Sequence, residues 1–182
     1  ATGLSYQSPM PLLVNLLSNS DFSNGTTGWS SATASLVNSA STLVATCTDG
    51  AISYVSVQGA SFTSIPAGRV IYAAITITPH RTHNPGIWAG NAFFASPSSA
   101  ASGVPTRVSW LVIAPAAFTS LTFYTNGASA TGQVTGSVTT FDNAVLIDLT
   151  AAFGAGFEPS KDEMDAIMAT WGGWFAKETP QL

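Results

Sequence analysis

The sequence is divided into short runs that alternate apolar with polar residues or are rich in β-branched ones, each closed by Gly, Pro, Asn or Ser. A period of two puts successive side chains on opposite faces, so each run is read as a strand. The runs are Leu12 to Leu17, Trp29 to Val37, Thr42 to Cys47, Ala51 to Val57, Arg69 to Ile77, Gly86 to Phe94, Thr106 to Ile113, Thr119 to Thr125 and Phe141 to Leu149. In Thr106 to Ile113 the alternation sets Val108, Trp110 and Val112 on one face and Arg107 and Ser109 on the other. No helical pattern separates these runs, which excludes a parallel sheet with crossover helices and points to an antiparallel β-sandwich. The 182 residues suffice for one such domain.

The flanks differ from this body. Residues 1–11, ending in Pro-Met-Pro, read as an extended arm, and residues 12–150 as the sandwich. Residues 151–182 read as a turn followed by a helix. Ser160 and Glu163 form a capping box, Asp162 and Glu163 sit in the favoured first turn, and Gly172 and Gly173 provide the stop. Met164, Ile167, Met168 and Trp171 recur at i, i+3, i+4 and i+7, an apolar stripe that must be buried against the sandwich or against a neighbour. With Trp174, these residues are the candidates for partner docking. The Ser/Ala/Gly-rich stretches Ala95 to Gly103 and Gly127 to Ser137 read as loops joining strands.

Charge narrows the function classes. Only 8% of residues are charged, against about 25% in an ordinary domain. Residues 1–157 contain no Lys and no Glu, only Arg69, Arg81 and Arg107 against Asp21, Asp49, Asp142 and Asp148. A net charge of −4 without a basic cluster excludes a nucleic-acid partner. The longest apolar stretch, Trp110 to Phe118, is broken by Pro115 and is far too short for a membrane span, so the chain is read as soluble. The first residues lack the basic and apolar regions of a secretory signal. Cys47 alternates with Leu43 and Ala45 and reads as a buried small hydrophobe.

Catalysis has little to work with, and the chain is read as non-enzymatic. Asp142 and Asp148, six apart on one run, share a face but lie about 20 Å apart by strand rise, too far for paired acid–base work. His80 and His83 form His-x-x-His, but Pro79 and Pro85 exclude the helix that would aim both rings at one metal, which leaves a polar surface loop. No Gly-x-Ser-x-Gly elbow or phosphate-binding loop is present. Trp88 with His80, Arg81, His83 and Asn84 combines a planar ring with hydrogen-bonding groups, the chemistry that holds sugars, and is the candidate glycan patch; Trp88 in the core is the alternative.

Asn15 to Gly25 followed by Gly28-Trp29 resembles the opening of carbohydrate-binding modules with the galactose-binding-like jelly roll, and Phe141-Asp142-Asn143-Ala144-Val145-Leu146 is similar to their last strand. Ile147 to Ser160, with the ending Gly173-Trp174-Phe175, resembles a segment that follows such a jelly roll in structural proteins of tailed phages. The resemblance implies a jelly roll and a virion component, as capsid decoration, tail or baseplate. It would be assembled in the host cytoplasm, carried on the extracellular particle beside copies of itself and other virion proteins, and able to adhere to host-surface glycan. The alternative it leaves is the carbohydrate-binding module of a secreted or cell-wall-associated glycoside hydrolase. No cofactor is required, but a structural calcium is implied, carried over to Asp21 and Asp142 with Asn19 or backbone carbonyls completing the oxygen shell.

Overall fold

The protein is described by a computed structural model, covering residues 11–51, 54–125 and 133–175, with the side chains of residues 60 and 61 excepted. Ten strands are described: β1 (Trp29–Ser30), β2 (Ala34–Ser39), β3 (Thr42–Cys47), β4 (Ser56–Ile65), β5 (Val70–Thr78), β6 (Gly86–Ala89), β7 (Ala92–Ala95), β8 (Thr106–Ile113), β9 (Phe118–Tyr124) and β10 (Val138–Asp148). Two helices follow, α1 (Leu149–Phe153) and α2 (Lys161–Ala169). The strands form two antiparallel five-stranded sheets, a platform sheet ordered β1-β4-β9-β6-β7 and a covered sheet ordered β2-β3-β10-β5-β8. Together they make the expected jelly-roll sandwich.

The main core lies between the sheets and takes one face of each strand. Val57, Ile87, Leu121 and Phe123 from the platform sheet meet Leu43, Ile71, Ile75, Val108, Trp110 and Phe141 from the covered sheet. Cys47 is buried there, as its alternation predicted. The covered sheet is apolar on its outer face too. Tyr72, Ala74, Val145 and Ile147 form a second core with Leu13, Leu149, Met164, Met168 and Phe175. The stripe on α2 is therefore buried against the chain's own sheet.

Several boundaries differ from the sequence reading. Residues 12–17 are irregular apart from one bridging residue, Val14, and Leu16 donates to the Leu146 carbonyl. The run from Trp29 is cut at Ser31 to Thr33, where the Ser31 hydroxyl accepts from the Thr33 and Ala34 amides, so β1 and β2 enter different sheets. β4 starts later than the run at Ala51 and extends to Ile65. In its middle Gly59 packs under Leu17 and Trp29, where a Cβ would sit 2.8 Å from Leu17. Gly86 to Phe94 is a hairpin turning on Gly90 and Asn91, both in the left-handed region. α1 was not expected; Asp148 caps it by accepting from the Ala151 amide. All but the last residue of the expected 1–11 arm, and most of the 127–137 loop, lie outside the described residues.

Asp142 and Asp148 do not share a face. A bulge between Asp142 and Val145, with Asn143 at φ 51°, inserts a residue into β10. Phe141 and Leu146, five apart, therefore both point into the main core. Asp142 is left on the outer side, and Asp148 pairs with Arg69 at 3.1 Å at the sheet's end.

Candidate functional site

The platform sheet's outer face is where exposed aromatic and polar side chains converge. With Ile87, Leu121, Phe123 and Val57 pointing inward, alternation turns Trp88, Thr122, Tyr124 and Gln58 outward. Register then sets Phe93, Trp88, Thr122 and Gln58 in one row across β7, β6, β9 and β4. In the next row Gly86 faces Tyr124, which faces Ser56.

Phe93 leans from the first row into the second. A Cβ on Gly86 would fall 2.1 Å from its Cζ, so Phe93 occupies the space above a residue that has no side chain. Its ring meets Tyr124 edge-on at 5.7 Å, and Tyr124 meets Tyr54 at 5.0 Å. The three rings form a continuous aromatic strip. Trp88 stands beside it, 44% exposed, and Gln58 donates to the Ser120 hydroxyl at 2.8 Å. Burial, with Tyr54 alongside, holds the Tyr124 phenol above its ordinary range and thus neutral. Rings flanked by Gln, Thr and Ser can stack on a pyranose while exchanging hydrogen bonds with its hydroxyls.

Of the sequence-predicted patch, Trp88 belongs to this platform and Asn84 is exposed near it in sequence. His83 is not a surface residue. It is 3% exposed, and its backbone pairs with Ala100 in both directions, at 2.9 and 2.7 Å. Its ring packs against His80 at 5.6 Å, and its Nε2 accepts from Arg81 Nε at 3.4 Å. Burial, reinforced by Arg81 and His80, pushes its pKa down to about 4, and burial with Arg81 lowers that of His80. Phe93, Tyr124, Tyr54, Gln58 and Thr122 escaped the sequence reading. Reading residues 86–94 as one strand puts Trp88 and Phe93 on opposite faces, whereas a hairpin at Gly90-Asn91 puts them side by side.

Of the residues the resemblance implies for calcium, Asp21 and Asp142 lie within electrostatic reach of each other, while Asn19 is engaged within its own turn. The Asn19 side-chain nitrogen donates to the carbonyls of Asn24, Gly25 and Thr27 at 3.4, 3.0 and 3.0 Å, and its oxygen accepts from the Asn24 amide at 2.8 Å. The amide nitrogen thus holds together the carbonyls that a cation would need. Asp21 accepts from the Ser23 amide and hydroxyl. Asp142 is held above the usual carboxylate range chiefly by burial, with Asp21's charge adding to it. Among the described residues no three His, Cys, Asp or Glu side chains converge.

The docking residues are largely buried. Met164 and Met168 are 0% and 2% exposed, Ile167, Trp171 and Trp174 pack against the second core, and Trp174 donates to the Ser20 hydroxyl at 3.1 Å. Beneath them Tyr72 donates to Asp165 at 2.7 Å, and Arg107 donates to the carbonyls of Asn143 and Gly173. Burial lowers the Arg107 pKa to about 10.

No protein-family model matches the sequence, and no curated protein is significantly similar to it. Solved structures are similar in fold. The N-terminal CBM22-1–CBM22-2 tandem domain of Paenibacillus barcinonensis Xyn10C superposes with a TM-score of 0.54 at 11% identity, over 74% of this chain and 50% of that two-module chain. The N-terminal cellulose-binding domain of Cellulomonas fimi β-1,4-glucanase C gives 0.47 at 17% identity, over 76% and 95%. A family 29 carbohydrate-binding module from Piromyces equi gives 0.46 at 11% identity, over 75% and 88%. The first of these likenesses establishes the jelly-roll fold.

Proposed function

We propose that this chain is a non-catalytic carbohydrate-binding module that holds a glycan across the outer face of its platform sheet. The observation that carries the reading is the strip of Phe93, Tyr124 and Tyr54 with Trp88 beside it, set among Gln58, Thr122 and Ser120. Rings supply flat apolar area and the uncharged side chains supply hydrogen bonds. That combination suits a neutral sugar chain better than an anionic one. The test is affinity electrophoresis and pull-down against cellulose, chitin, xylan, mannan and bacterial cell walls. One of these should bind, and Trp88→Ala should weaken it about 10-fold, or ~1.4 kcal/mol. Gly86→Ala, which forces Phe93 out of its seat, should weaken it comparably. Binding unaffected by both, or no binding to any polymer, overturns the reading.

A virion setting is a second proposal, with the module displayed on a tailed-phage particle as decoration, tail or baseplate component among other copies and virion proteins. It is supported by the resemblance of Ile147 to Ser160, a segment whose Asp148, Thr150 and Glu158 all make ordered contacts. Mass spectrometry of purified particles tests it; absence of the chain from them favours the module of a secreted glycoside hydrolase instead.

A further inference from the structure

We infer that the glycan platform is held by an acid-sensitive clamp, in which neutral His83 locks the loop pair at the base of the β6–β7 hairpin and its protonation releases Trp88 and Phe93. The inference rests on the glycan reading for its consequence, but the clamp itself stands on geometry.

The hairpin is weakly anchored by its own strands. β7 is a sheet edge, and β6 meets β9 through only Gly86–Tyr124, Ile87–Phe123 and Trp88–Thr122. Its ends are tied by a second set of bonds between residues 79–85, leading into β6, and residues 96–103, leaving β7. The Ser96 amide donates to the Pro85 carbonyl at 2.7 Å, the Ala100 and His83 backbones pair, the Ser102 hydroxyl donates to the His80 carbonyl at 2.7 Å, and the Gly103 amide donates to the Pro79 carbonyl at 2.8 Å. His83 lies at the centre of this ladder.

The His83 ring tolerates only its neutral form there. Its Nε2 faces two donor groups, Arg81 Nε and the Gln133 side-chain nitrogen, each at 3.4 Å, and accepts hydrogen bonds from them. A proton on Nε2 would turn acceptance into donor against donor, beside a guanidinium and 5.6 Å from the His80 ring. Buried Nδ1 has no partner that could share the charge, and neither His80 nitrogen has one. Among the described residues, the charged or titratable groups acting on the ring are Arg81 and His80.

The sign follows from linkage. The ring's affinity for protons is lower in the closed loop, near 4, than the ordinary 6.5 it regains on release, so acid favours the open loop. Between pH 8 and pH 4.5 the open-to-closed ratio rises about 75-fold. The closed loop is fully favoured above pH 6.5 and loses that advantage progressively down to pH 4.

Hydrogen-exchange mass spectrometry and histidine-ring NMR on the intact chain test the clamp without any glycan. After correction for intrinsic rates, exchange in residues 79–104 should rise at least 10-fold from pH 7.5 to 4.5 while that of β3 and β5 stays constant. His83→Gln, which keeps an acceptor and cannot titrate, should abolish the rise. In the wild type the His83 ring should titrate clearly below its ordinary 6.5. A ring that titrates near 6.5 with the loop still protected overturns the clamp, and so does exchange that is flat with pH. The polysaccharide bound best at pH 7.5 is then tested at pH 4.5, where its affinity should fall at least 10-fold in the wild type and hold in His83→Gln. If no polysaccharide binds at either pH, the glycan reading fails while exchange still decides the clamp.

Discussion

Replacing Asn15 should destabilise the whole domain, because its buried amide joins three parts of the chain that share no regular hydrogen-bond ladder. Asn15 is 4% exposed. Its side-chain nitrogen donates to the carbonyls of Ala144 and Phe175 and to the Ser20 hydroxyl at 3.0–3.1 Å, and its oxygen accepts from the amides of Leu146 and Leu17 at 3.0 and 3.3 Å. The β10 bulge takes Ala144 out of register with β5, while Leu146 keeps its partner Ala73 there. Asn15→Ala leaves the Leu146 amide and the Ala144 and Phe175 carbonyls without this partner. At about 1–3 kcal/mol for each stranded buried group, with water recovering part, the loss should be about 3–4 kcal/mol. That is a large share of the roughly 5–15 kcal/mol available to a domain. Urea unfolding followed by circular dichroism measures it, and hydrogen exchange should show residues 171–175 deprotected first. Asn15→Asp keeps the acceptor but sets a carboxylate against two carbonyls, so at pH 7 it should be at least as damaging. A loss below about 1 kcal/mol for Asn15→Ala, or unchanged protection of the tail, refutes the reasoning.

Met164 is wholly buried under α2, so Met164→Ala should cost about 3 kcal/mol in urea and expose Lys161 to trypsin; a cost under 1 kcal/mol would mean the stripe does not depend on its own sheet. Asn19→Asp should destabilise the 19–27 turn by about 2 kcal/mol in EDTA and make its melting temperature rise with calcium, since a carboxylate then meets three carbonyls that lack a donor. The wild-type melting temperature should be the same in calcium and in EDTA.

Legibility tracked the strength of local patterns. β3 and β8 were legible to the residue because one face of each is core and alternation runs uninterrupted from Thr42 to Cys47 and from Thr106 to Ile113. The Ser160 capping box and the α2 stripe were legible for the same reason at the helical period. What failed depends on partners distant in sequence. Gly59 is small because Leu17 and Trp29 approach it, and the bulge at Asn143 reverses the facing of Asp142 relative to Asp148. The patch hinges on one turn: once Gly90-Asn91 reverses the chain, Trp88 gains Phe93 as a cross-strand neighbour, Phe93 in turn meets Tyr124, and His83, which looked solvated between two prolines, pairs its backbone with Ala100.

The two sheets also explain why the charged residues gather in the tail. A sandwich built from β-branched and small polar residues has two outer faces, and only one can stay open for a ligand if the other is apolar. Tyr72, Ala74, Val145 and Ile147 make the covered sheet apolar on both sides, so something must close it. Closing it takes a helix start fixed by Ser160 and Glu163, together with the Lys161–Asp165 ion pair and its hydrogen bond from Tyr72. Those contacts require acids and a lysine that a sheet of Ser and Thr does not. The platform sheet needs no such cover, because Gln58, Ser120, Thr122 and the edges of Tyr124 are already compatible with water. Charge in the tail follows from closing the covered sheet.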